Sequence, residues 1–347
     1  MLILTKDDGN KQFAATFLSH RIRPSPTKLK GRTTMFKQIL VPLDGSTRAE
    51  LALPVAARLA RASSGSIVLM QVANFPIDYG GGYTQAPLLT EQMIETELDN
   101  LDDYLKKVAT SEALAGISIK TEAMFGQPLQ DILSVVESRR ADLIVICSHG
   151  RTGLMRWALG SVAQALAHQS PVPLLVLREG GQVSRISSGE ITRPICALVA
   201  LDGSPFAETA LIPAANLVAA LAAPNEGILH LTHVVTHKGD ESQQRAKTYI
   251  AGVTEQLQQK LKNLNLSITW SLLGDRDVAG VIVDMAEHGE DKTKAEQVNG
   301  CDLIAMSTHG RGGLERLMMG SVTERVLHST KLPMLIVRPQ RTASYGG

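Results

Sequence analysis

The sequence predicts an α/β chain built as two tandem, doubly wound domains. Three observations predict it: the chain repeats itself, short β-branched runs alternate with longer amphipathic ones, and several short runs are apolar without interruption. Ile39-Leu-Val-Pro-Leu-Asp44-Gly45-Ser46 recurs as Ala197-Leu-Val-Ala-Leu-Asp202-Gly203-Ser204, each with an acid six residues after the Asp, Glu50 and Glu208. A longer match joins Ala141-Asp-Leu-Ile-Val-Ile-Cys147-Ser-His149-Gly150-Arg151-Thr-Gly153-Leu to Cys301-Asp-Leu-Ile-Ala-Met-Ser307-Thr-His309-Gly310-Arg311-Gly-Gly313-Leu. It runs on through Leu159-Gly160-Ser161-Val162 and Met319-Gly320-Ser321-Val322 to the closing runs 172–178 and 332–338.

In chain order, the first copy predicts strands at 37–43, 66–73, 117–124, 142–147 and 173–178, with helices at 48–63, 90–111 and 129–140. The second predicts strands at 195–201, 227–235, 266–273, 301–307 and 332–338, with helices at 206–222, 241–264 and 278–288. A terminal helix opens at Ser161 and at Ser321. Runs such as 143–146 and 303–306 are apolar throughout, as expected where helices cover both faces of a sheet. Alternating βα units then require parallel strands and right-handed crossovers. Ligands in such sheets bind beyond the carboxyl ends of the strands, where Asp44, His149, Gly150, Asp202, His309 and Gly310 fall.

The copies diverge in their loops, a Gly-rich one at 74–87 in the first and a polar insertion at 288–300 in the second. The organisation is then a basic extension at 1–34, a first domain at 35–178, a linker at 179–193, a second domain at 194–338 and a tail at 339–347. The linker, rich in Gly, Ser and charge, reads as a solvated connector. The extension carries seven Lys/Arg but lacks the continuous apolar core of a secretory signal, so targeting is the lesser reading.

Composition narrows the function classes. The chain has 347 residues, 44% of them hydrophobic, and a net charge of +1, which supplies no overall field for nucleic acid or an anionic membrane. No stretch approaches 18 uninterrupted apolar residues, so no transmembrane helix is expected. Three scattered cysteines, Cys147, Cys196 and Cys301, make neither a disulfide framework nor a metal site, and a cytoplasmic setting fits them.

The glycine loops carry the chemistry. Gly150 with Gly160-Ser161, and Gly310 with Gly320-Ser321, each follow a buried strand and open a helix, a geometry that suits phosphate because backbone N–H groups and the helix dipole face the anion. A structural explanation competes: Ser161-Val-Ala-Gln164 and Ser321-Val-Thr-Glu324 both have the form of a capping box. Capping does not account for Gly150 and Gly310, nor for Gly160 and Gly320 one residue before each serine.

Both copies resemble the universal stress protein family, through the Asp-Gly-Ser after the first strand, the His-Gly-Arg loop and the Gly-Ser-Val helix start, over about residues 36–178 and 193–338. The resemblance implies a five-stranded parallel sheet of order 3-2-1-4-5 in each domain. It also implies ATP, or AMP or ADP, with or without Mg2+, held by Asp44, Val72, His149, Gly150, Arg151, Gly153, Gly160, Ser161 and Val162 in the first copy. In the second the same roles fall on Asp202, Val234, Ser307, His309, Gly310, Arg311, Gly313, Gly320, Ser321 and Val322. One position departs from the nucleotide-binding pattern, whose first glycine is Cys147 in one copy and Ser307 in the other. The hydroxyls of the second copy suit phosphate and make it the better site.

Other chemistries are weaker. No Gly-Lys-Ser/Thr occurs, nothing at the helix starts forms a nucleophile elbow for His149 or His309, and strand alternation puts His230 and His233 on opposite faces. In the resembled family, dimers form through the closing strand, so 172–178 and 332–338 are expected to pair within the chain, with a homodimer as a further possibility. The function expected is adenine-nucleotide binding in a stress response, against a nucleotide-free scaffold or a slow ATPase, with no catalytic residue evident.

Overall fold

A computed structural model describes residues 35–73, 91–148, 160–178, 183–188, 193–236, 239–289, 300–310 and 319–339. The first copy contributes β1 (Gln38–Leu43), a 3-10 turn and α1 (Ala52–Ser63), β2 (Ser66–Ala73), α2 (Glu91–Ala109), β3 (Ser118–Phe125), α3 (Pro128–Arg139), β4 (Leu143–Cys147), α4 (Ser161–Gln169) and β5 (Leu174–Leu177). After the short α5 (Val183–Ser188), the second copy contributes β6 (Cys196–Leu201), α6 (Pro205–Glu208), α7 (Leu211–Ala222), β7 (Gly227–Val235), α8 (Asp240–Lys260), β8 (Leu266–Gly274), α9 (Val278–His288), β9 (Leu303–Ser307), α10 (Ser321–Ser329) and β10 (Met334–Val337).

The ten strands among the described residues form one sheet of order β3-β2-β1-β4-β5-β10-β9-β6-β7-β8. Each half has the order 3-2-1-4-5 in its own count, and its strands are parallel. The halves meet where β5 and β10 pair antiparallel, Leu175 opposite Leu335. Eight apolar side chains on these two four-residue strands are buried, and their pairing removes the open edge each half would otherwise present.

The duplicated aspartates that open β4 and β9 staple each switch point. Asp142 carboxylate oxygens accept from the backbone N–H groups of Lys37 and Gln38 at 2.7 and 3.1 Å, and Asp302 accepts from Cys196 N–H at 2.8 Å. Two apolar layers cover the sheet, and both run across the two halves. One joins α1 to α7 beneath Ile39, Val41, Ala197 and Val199; the other joins Leu40 and Ile144 to Leu198 and Ile304. Pro205–Ala222 is the one described stretch apolar and long enough to cross a membrane, and here it lies largely within the first of these layers.

The linker differs from the connector expected of it. Its middle is helical, Ile186 is fully buried, and Arg58 of α1 donates to the carbonyls of Arg185 and Ile186 at 3.5 and 3.3 Å. Arg185 and Arg193 both pair with the buried Asp302, so the segment is latched to both halves. Burial pushes the Asp302 carboxyl up, against the pull of its backbone donor and the two guanidinium groups. The 1–34 extension, the 74–87 loop and most of the 288–300 insertion lie outside the described residues.

Candidate nucleotide site

The Asp-Gly-Ser motif makes the same turn in both halves. Asp202 Oδ1 accepts from Ser204 N–H at 2.9 Å and from its hydroxyl at 2.6 Å, while Ser204 Oγ accepts from Ala207 N–H at 3.2 Å and so caps α6. Asp44 and Ser46 repeat this set at 3.0, 2.6 and 3.2 Å, the last from Ala49 N–H. Between them Gly45 and Gly203 stand at φ 79° and 86°, a region where a Cβ is strained. The aspartate is thereby held at the carboxyl end of the first strand, with Oδ1 committed to the turn. Asp202 Oδ2 lies 2.1 Å from where a Cβ on Gly310 would stand, so Gly310 is glycine because the carboxylate occupies its side-chain space.

The capping boxes expected at Ser161 and Ser321 do not form. Gly160 and Gly320 take the capping positions, the serines move to the first helical position, and neither helix has a side-chain cap. A serine inside the helix has already passed the position from which its hydroxyl would reach the third helical N–H. The first intrahelical bonds run from Gln164 and Glu324 N–H to Gly160 and Gly320 carbonyls. The N–H groups of the preceding turn therefore have no partner within the helix, at the positive end of its dipole.

The two capping glycines have different reasons to be glycine. Gly160 (φ −58°) and Gly320 (φ −61°) both have backbone that any residue adopts. A Cβ on Gly160 would meet Ser148 O at 2.8 Å, a steric reason sufficient in itself, whereas on Gly320 it would meet Thr308 O at an ordinary 3.4 Å. Backbone crowding therefore does not account for Gly320, which lines the open space in front of α10.

That space is real. A cavity of about 650 Å³ opens over the carboxyl ends of β6, β7 and β9, and Asp202, Val234, Ser307, His309, Gly310, Gly320, Ser321 and Val322 all line it. Every site residue expected in the second copy except Arg311 and Gly313 is thus brought together; those two lie outside the described residues. Ser307 Oγ, buried, accepts from His309 N–H at 3.3 Å and meets Thr209 Oγ1 at 3.5 Å, so it braces the loop as well as facing the cavity. In the first copy Asp44, Val72, Gly160, Ser161 and Val162 occupy the matching ends of β1, β2 and α4, while His149, Gly150, Arg151 and Gly153 lie outside the described residues.

The far wall escaped the sequence reading. Ser242, Arg245 and Tyr249 of α8 line the cavity together with His233, whose ring centroid is 5.6 Å from that of Tyr249. Tyr249 donates to Glu208 at 3.0 Å, and Tyr104 donates to Glu50 at 2.9 Å in the first half. The repeated acids are therefore helix anchors, and a search for their repeated tyrosine partners would have aligned α2 with α8. His230, on the other face of β7, is buried among Thr269, Ser271 and Thr232. Among the described residues no three His, Cys, Asp or Glu side chains gather to hold a metal ion.

The arrangement can hold an anion at the α10 start and a hydroxyl or amine donor at Asp202, in a cavity of nucleotide size. The universal stress protein family matches residues 35–178 and again 197–338. A universal stress protein of Mycolicibacterium smegmatis is 26% identical over 306 residues, covering 87% of this chain and 97% of its own. One from Methanocaldococcus jannaschii is 28% identical over 151 residues, 44% of this chain and 87% of its own. The crystal structure of a universal stress protein from Archaeoglobus fulgidus superposes with a TM-score of 0.60 at 20% identity, over 87% of this chain and 98% of that one.

Proposed function

Because the chain belongs to the universal stress protein family, we propose that it binds an adenine nucleotide, ATP foremost, and serves a cytosolic stress response through occupancy of its second-domain cavity. The observation that carries this reading is the uncapped start of α10 behind Gly320, opening on a cavity that also presents Asp202. Phosphate oxygens would accept from Ser321 and Val322 N–H. A helix terminus contributes only about 0.3–2 kcal/mol to holding an anion, so the His309-Gly310 bend must act with it. The Asp202 carboxylate would accept from a ribose hydroxyl or the adenine amine. Any Mg2+ would arrive with the phosphates, since its usual protein share is one or two carboxylates.

Binding to the folded state alone stabilises it by mass action, by about 2.7 kcal/mol at a hundredfold excess over Kd. Titration calorimetry and thermal unfolding with ATP test the reading. Gly320→Val keeps permitted backbone angles, so stability should change by no more than about 1 kcal/mol while ATP affinity falls at least tenfold. No heat and no stabilisation at millimolar ATP would point instead to a nucleotide-free scaffold. Unchanged affinity in Gly320→Val would remove the α10 start from the site.

A further inference from the structure

We propose that the two duplicated crevices have diverged in ligand charge: the second takes a nucleotide with an extended phosphate chain, with Arg245 setting that preference, and the first disfavours the same charge. This rests on the nucleotide reading above and concerns selectivity within it.

Helix α8, which walls the second cavity, and α2, its counterpart in the first half, can be placed in register from three marks. Tyr104 and Tyr249 make the same bond to Glu50 and Glu208. Counting from those tyrosines, the buried positions coincide: Leu101 with Ala246, Leu105 with Ile250, and Val108 with Val253. Both helices pack on the second strand of their half. In that register Arg245 corresponds to Asn100 and Ser242 to Glu97.

Charge follows the same division. Arg245 is the sole Lys or Arg among the described residues lining the second cavity. Its side chain is 78% exposed and, among the described residues, pairs with Glu241 alone, itself 80% exposed, one turn earlier. Such a surface pair is weak and screened, so the guanidinium can exchange Glu241 for a more concentrated anion without leaving a buried charge behind. A guanidinium offers phosphate a planar, two-pronged donor set. In α2 the positions matching Ser242 and Arg245 hold Glu97 and Asn100, an acid and no cation, on a helix whose other acids, Glu91, Glu95, Asp99, Asp102 and Asp103, also outnumber Lys106 and Lys107 in its last turn. In α8 acids and bases balance, Asp240, Glu241 and Glu255 against Arg245, Lys247 and Lys260. Each phosphate added to a ligand therefore gains an attractive partner in the second crevice and a repulsive wall in the first.

The test is calorimetric titration of the full chain with ATP and with AMP at fixed ionic strength, for wild type and Arg245→Asn, the residue found at the matching position of the first copy. We expect one ATP per chain in the wild type and an ATP-over-AMP preference that narrows at least fivefold in Arg245→Asn, ATP affinity falling more than AMP affinity. Two equivalent ATP sites per chain, or an unchanged preference in Arg245→Asn while ATP still binds, would overturn the inference and leave the nucleotide reading standing. Failure of the wild type to bind either nucleotide would overturn both.

Discussion

His230 shows how far one residue can depart from its duplicate. It pairs across the sheet with Leu198 as Val68 does with Leu40, so the first copy fills the same position with a plain aliphatic side chain. The imidazole is fully buried, its two nitrogens 2.8 Å from Thr269 Oγ1 and 3.0 Å from Ser271 Oγ, and no carboxylate is among those partners. Burial without a counter-charge holds its pKa down at about 4, below the ordinary 6.5. The unfolded chain therefore takes up a proton first as pH falls, and the stability tied to the neutral ring, complete above 6.5, drains away between 6.5 and 4. Between pH 7 and pH 5 this amounts to about 2 kcal/mol. Urea unfolding at the two pH values should show His230→Gln losing less stability than wild type by that amount; equal losses would mean that the ring is charged in the fold. At this scale the sequence was partly legible. Strand alternation separated His230 from His233, and Asp-Gly-Ser marked a turn. The serines at 161 and 321 were misread as caps because a glycine directly before a serine can itself take the capping position.

Strands and helices were legible almost throughout, because buried parallel strands and amphipathic helices announce themselves by period: 227–235 and 278–288 coincide with β7 and α9. The expected helix over 206–222 is interrupted between Glu208 and Leu211, after a short α6 opened by the Ser204 cap. The element that pattern could not reveal is α5. Six residues set among Gly and Ser carry no period of their own, and what orders them is tertiary: Ile186 in the core, Arg58 on two carbonyls, and Asp302 between Arg185 and Arg193. Asp302 has no exposure, while the arginines keep 22% and 26% of theirs. Asp302→Asn therefore leaves two cations that water can reach, but removes the charge that both share, turns one of the two acceptor oxygens into an NH2 donor and weakens the bond to Cys196 N–H. The expected cost is about 3 kcal/mol, read by urea unfolding, with faster proteolysis in 179–193. Asp142→Asn, which lacks the arginine partners, should leave linker proteolysis unchanged; equal effects from the two variants would dissolve the latch.

At the scale of the whole molecule, the duplication and the antiparallel β5–β10 seam make one ten-stranded sheet whose two apolar layers ignore the boundary between the copies. The seam brings the second cavity within reach of the first half: Met319 N–H, next to Gly320, donates to His168 of α4 at 3.4 Å, and Arg338 donates to the Gln169 carbonyl at 3.2 Å. Two similar halves have thus been joined so that the bend in front of α10 rests on its neighbour. Glycines and a serine drew attention to that bend from the sequence. The opposite wall of α8 stayed hidden because the loops between the copies differ in length and shift its numbering against α2. The proposed binding requires the N–H groups at the start of α10 to be aimed at a ligand anion. A crystal structure of the full chain grown with ATP tests this most directly. Phosphate oxygens should lie within hydrogen-bond distance of Ser321 and Val322 N–H, with Asp202 turned to the ribose or adenine. A cavity holding only solvent and side chains at saturating ATP would contradict it.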